Sequence, residues 1–209
     1  MRLSVDPRDG TVRLSLPTRA ALRPALAWAE EKRGWIEGAL AVLPKPQPIV
    51  PGAAIPLEGQ PVRIDWQPSG SRTVKRDDDR LIVGGPEEAI AARVLRWLRR
   101  EAGVRLDGET RDFAARAGVT VGRVGVGDPR SRWGSCTPCG DIRYSWRLIL
   151  APPEVREATV AHEVAHRLHM DHSPAFHAAV ARLLGREPKA ERHWLRTHGS
   201  GLYWLGRES

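Results

Sequence analysis

The sequence predicts an α+β fold, a strand-rich first part followed by a helix-rich second part. Three observations carry this. Short segments that alternate apolar and polar residues, broken by turn residues, are concentrated in the first 84 positions. Apolar residues at helical spacing dominate from Pro86 onward. A histidine–glutamate cluster, HEVAH at 162–166, lies within one of those helical patterns. The division reads as a small mixed β-rich subdomain over 1–84 and a second domain over 85–209.

The first element is a hairpin. LSVDPRDGTVRLSLP places Leu3 and Val5 on one strand and Val12, Leu14 and Leu16 on the next, around Asp9-Gly10. LRPALAWAEEKRGWIEGAL then carries Leu26, Trp28, Trp35, Ile36 and Leu40 at roughly helical spacing, with Pro24 in the first turn. The proline-rich PKPQPIVPG, 44–52, breaks that pattern. IPLEGQPVRIDW reads as a second hairpin and DDDRLIVGG as a further strand.

Acids after Pro86 and a glycine at 118 bracket a long helix, buried along Ile90, Val94, Trp97, Leu98 and Phe113. Gly103 and Gly108 predict a kink or a break in it. VTVGRVGVG reads as a strand, and residues 137–141 as a turn between two more, the second expected over 142–150. Pro152 and Pro153 open the helix that carries HEVAH. Ser173 as N-cap, Pro174 at the first position and Gly185 as the stop define another. A last helix covers about 188–197.

Composition limits the function. The 209 residues include 41% hydrophobic and 28% charged positions, ordinary for a globular chain. No apolar run is long enough to cross a bilayer, and MRLSVDPRDG lacks the apolar stretch of a secretory signal. The expectation is a soluble, cytoplasmic protein without a membrane partner. Net charge is +8, carried almost wholly by arginine. That balance favours anionic partners, but no dense basic block interleaved with aromatics marks a nucleic-acid surface. Cys136 and Cys139 are too few for a disulfide framework, and without a second pair they read as free thiols.

The chemistry is concentrated at 162–172, HEVAHRLHMDH. Four residues apart on a helix, His162 and His166 share one face, and two imidazoles so placed can hold one small cation. Zinc suits imidazole nitrogen, and a catalytic zinc takes three protein ligands and keeps one position open. Glu163 is rotated about 100° from His162. It is poorly aimed as a ligand and well placed to take a proton from water at the metal. His169 lies about 10 Å along the axis from His162 on a straight helix, too far to complete a tetrahedron. His172 is the better third ligand, because the chain must turn between 170 and 173. His169 or Asp171 could supply left-handed backbone angles for that turn.

A lone histidine on an apolar helix is ordinarily a satisfied core residue. Two at i and i+4, a glutamate between them and a third histidine at a turn make a metal site the better account, since three ionisable groups buried among Val160, Ala161, Val164 and Ala165 would otherwise be costly. His169, His177, His193 and His198 are left to the surface or to supporting positions. The spacing equals the metzincin ligand set, but His169 replaces its glycine and no later methionine is present. Glu187 or Glu191 would supply the third ligand in a gluzincin arrangement.

With these residues assembled, the chain resembles the YgjP-type family of metallohydrolases, related to SprT-like and WLM zinc peptidases. The likeness rests on SRWGSC at 131–136, WRLILAPP at 146–153, HEVAH, and HSPAF at 172–176. RLSVDPRDGTVRLSLP and GWIEGAL extend it over nearly the whole chain. Ser145 stands where that family usually carries asparagine. The resemblance implies a zincin-like catalytic half with the HExxH helix as its active-site helix. It further implies one zinc per chain on His162, His166 and His172, with Glu163 catalytic. For activity it implies a metallopeptidase, a UTP pyrophosphatase using the same metal, or a nucleic-acid-associated SprT-like protease.

Around that site, Arg130 and Arg132 could clamp a phosphate or stabilise a developing oxyanion beside Trp133. The strand at 142–150 is a candidate edge for an extended peptide. Trp194 and Trp204 cover the core near the C-terminus, with His198 and Tyr203 as remoter candidates for the site.

Overall fold

The computed structural model describes residues 1–208. Its first hairpin joins β1 (Arg2–Val5) to β2 (Val12–Ser15) with Leu3 opposite Leu14. The turn is organised by Asp6, whose carbonyl accepts the Gly10 N–H and whose carboxylate accepts from Arg8. The expected single helix is two, α1 (Leu22–Glu31) and α2 (Arg33–Ala41). Lys32 separates them, its N–H turned back to Ala29 and Glu30. Ala25 is the buried residue of α1 and α2 has none, so Leu22, Leu26 and Trp35 face solvent.

A four-stranded sheet follows in the order β3–β4–β6–β5: β3 (Ala54–Leu57), β4 (Gln60–Gln67), β5 (Lys75–Asp77) and β6 (Arg80–Gly84). Glu58 and Gly59 both have positive φ in the β3–β4 turn, as a two-residue hairpin of this hand requires. β4 and β6 run parallel. Alternate residues Val62, Ile64, Leu81 and Val83 enter the core.

The 28-residue α3 (Ile90–Ala117) lies against this core without a break. Each internal glycine costs about 1 kcal/mol relative to alanine. Burial of Val94, Trp97, Leu98, Leu106 and Phe113 along the same helix outweighs that cost. Gly118, left-handed, ends the helix as expected.

A second sheet has the order β7–β9–β8, from β7 (Val124–Gly127), β8 (Gly134–Cys136) and β9 (Ile142–Ser145). β9 is therefore central, not an edge, and residues 146–150 form a 3-10 turn instead of continuing the strand. The edge that faces the functional helix belongs to β8. Three helices complete the chain: α4 (Pro153–Ala165), α5 (Pro174–Leu184) and α6 (Lys189–His198). α5 has the expected caps, with the Ser173 hydroxyl accepting the Phe176 N–H and Gly185 left-handed. One continuous set of buried side chains runs from Ile49 to Leu205 and includes both sheets, α3, α4 and α5. Among the described residues no helix is long and apolar enough to cross a membrane.

Candidate metal centre

α4 ends at Ala165, so His162 and Glu163 ride on its last turn and His166 is its C-cap. The backbone tightens there, with the Leu168 and His169 N–H groups both reaching Ala165 O. A straight continuation to His169 is thus avoided. The chain then reverses without left-handed residues at 169 or 171, contrary to expectation. Asp171 Oδ1 instead accepts the Ser173 N–H and makes the turn. That reversal returns His172 to the helix end.

The three histidines each offer a ring nitrogen within 4.8 Å of the others. His162 Nε2 and His172 Nε2 are 3.2 Å apart. Two nitrogens that share one tetrahedral zinc at about 2.05 Å each are separated by about 3.3 Å. The ring centroids lie 5.1, 5.1 and 4.8 Å apart. Beneath them the fully buried Phe176 packs its ring within 4.8 Å of all three. His166 Nδ1 is 3.2 Å from the His169 carbonyl; donation there leaves Nε2 with its lone pair free. Burial holds His162 at about 4 and pushes His166 below the usual imidazole value. His162 and His166 are therefore held in the neutral form that a metal needs. By spacing, tautomer and charge this trio fits a zinc ion.

Glu163 is 5% exposed, and burial lifts its carboxyl to about 7, opposed by the charge of Arg132. Its side chain lies on Gly134 of β8, where an added Cβ would fall 2.5 Å from Oε1. A neighbouring cavity of about 720 Å³ is lined by His162 and Glu163, by Arg132, Trp133 and Gly134, and by α5 and α6 residues including His177, Glu187, Glu191 and Arg192. Arg132 and Trp133 are thus brought to the site. Arg130 is not: its guanidinium is held by Asp9 and Asp6 of the first hairpin. Glu191 is bound by Arg186 and Glu187 by Lys189, which leaves His172 as the third member of the cluster. Tyr203 donates to the Pro129 carbonyl, and His198 packs on Trp194.

Cys136 and Cys139 are free, as expected. Burial and the nearby Glu163 raise the Cys136 thiol, whereas the Thr137 hydroxyl lowers Cys139. Sequence reasoning did not single out Gly134 or Phe176. Both lie in the short motifs SRWGSC and HSPAF, but nothing in their residue types announces contact with a carboxylate or an imidazole trio.

The family model described as "YgjP-like, metallopeptidase domain" matches residues 1–198. No curated protein and no solved structure gives a significant match.

Proposed function

Because the chain belongs to the YgjP-like metallopeptidase family, we propose that it is a zinc-dependent hydrolase that cleaves peptide bonds, with residues 85–209 as its zincin-like catalytic half. The observation that carries this reading is the convergence of His162, His166 and His172 beside a buried carboxylate on the same helix end. A zinc ion bound by the three imidazoles would supply an activated water and polarise the scissile carbonyl. Glu163, lifted toward neutrality by burial, accepts the water's proton and delivers it to the leaving amine. Gly134 gives the carboxylate room to make that transfer. Arg132 adds positive charge near the developing oxyanion, and Trp133 forms a wall of the cavity. The free edge of β8 is the natural rail for an extended peptide, because its first residue also lines the cavity.

The second reading is a nucleoside triphosphate pyrophosphatase at the same metal. It is favoured by Arg132 and Arg192 on the cavity wall. The two separate on substrate: zinc-loaded protein is offered unfolded casein and, in parallel, UTP. Casein fragments that disappear in Glu163→Gln support the peptidase. Pyrophosphate release from UTP with casein intact overturns it in favour of the second reading.

A further inference from the structure

Beside the catalytic cavity lies a smaller pocket of about 230 Å³ that shares Arg132, Trp133 and Leu195 with it. Arg8, Arg130, Arg132 and Arg196 all line it, with Ser131 and Ser200. Two of these cations are already answered. Arg8 donates to Asp6, and Arg130 to Asp9 and Asp6. Arg132 and Arg196 have no carboxylate within 4.0 Å and no hydrogen-bond acceptor among the described residues. Four guanidinium groups thus face two carboxylates, both of them taken up by Arg8 and Arg130. The concave surface offers donors without matching acceptors, and unrelieved like charge of this kind is what an anionic ligand satisfies.

Arg132 and Arg196 are exposed, and their neighbours in the chain are packed. Arg132 precedes β8 by one residue beyond Trp133, whose ring packs against Gly199 so closely that a Cβ there would fall 2.6 Å from it. Arg196 is one helical turn from Arg192 on α6, and Arg192 lines the larger cavity. Arg192 and Arg196 therefore put one cation at each cavity along one helix face, beside Glu187 and Glu191, which are paired with Lys189 and Arg186.

We propose that this pocket is a specificity subsite for a substrate carboxylate: the acidic side chain of a peptide whose scissile bond lies over the histidines, held by Arg132 and Arg196. The inference rests on the peptidase reading and narrows it to acidic peptides. A carboxylate matches the planar fork of a guanidinium, and the volume admits one short side chain.

The test measures binding, so it does not depend on turnover. Zinc-loaded wild-type protein is titrated calorimetrically with acetyl-tetraglutamate amide, acetyl-tetraalanine amide and inorganic pyrophosphate, with metal content assayed separately. The expected result is saturable binding of the glutamate peptide, at least tenfold tighter than the alanine peptide. Arg196→Ala weakens it about tenfold, with zinc content and melting temperature unchanged. Arg196→Lys restores part of the loss. Equal affinity for the two peptides, or an Arg196→Ala protein that binds like wild type, overturns the subsite. Pyrophosphate binding tighter than the glutamate peptide, and lost in Arg196→Ala, overturns the carboxylate assignment in favour of phosphate. Loss of zinc from wild-type protein would instead strike the metal reading, which is read out independently.

Discussion

Glu163 rests its carboxylate on the bare backbone of Gly134, with no room between them for a β-carbon. The proposed base is therefore aimed by a strand edge as well as by its own helix. Gly134→Ala should push the carboxylate aside without touching any histidine. The expected result is unchanged zinc content and kcat reduced about 10²-fold. Full activity in this variant would mean that the position of Glu163 is unimportant.

The roles of ligand and base separate by substitution. His162→Ala and His172→Ala should each lose tight zinc, measured by elemental analysis after dialysis against a weak chelator. Glu163→Gln should retain the metal and lose about 10²- to 10⁴-fold in turnover. Retention of zinc by both histidine variants would disqualify the trio.

His162 and His166 should make the metal-free protein acid-sensitive. His162 titrates near 4 in the folded chain because burial disfavours its charge, and His166 is shifted in the same direction. An unfolded histidine titrates near 6.5. The folded state thus binds fewer protons, so the contribution is complete above about 6.5 and is lost as pH falls from there toward 4. Urea midpoints of metal-stripped protein should drop between pH 7.5 and pH 5. His162→Ala should flatten the drop.

A buried ion group ties the functional helix to the rest of the core. Arg156 of α4, 2% exposed, binds Glu109 of α3 at 2.7 Å and approaches Glu58 of the β3–β4 turn at 3.3 Å. Burial raises Glu109 even with Arg156 alongside. Removing the cation strands Glu109, whereas Glu58 keeps Arg76, so Arg156→Met should cost about 3 kcal/mol in urea unfolding. The double change to Arg156→Met with Glu109→Gln should recover part of it.

Much of the site was legible because its signals are local. The i and i+4 histidines, the glutamate between them, and the serine, proline and glycine that bound α5 are each defined within a few residues. What was not legible is non-local or energetic. Parallel pairing of β7 with β9 joins residues separated by a turn and a third strand. The continuity of α3 through Gly103 and Gly108 follows from tertiary burial, which local propensity does not contain. Capture of Arg130 by Asp9 depends on a hairpin over a hundred residues away. The reversal before His172 was anticipated, but its means was a side-chain hydrogen bond where unusual backbone angles were expected.

Two of the three imidazoles are fixed to a helix end, and the third, exposed, is carried by the crossing between α4 and α5. A coordination shell built this way has one hinged wall. Departure of a held ion would begin with that crossing swinging outward, long before the helices separate. Metal release into excess chelator should therefore reach a limiting rate independent of chelator concentration. Asp171→Ala, which removes the turn's internal hydrogen bond, should raise that limit and shorten the residence time of the ion.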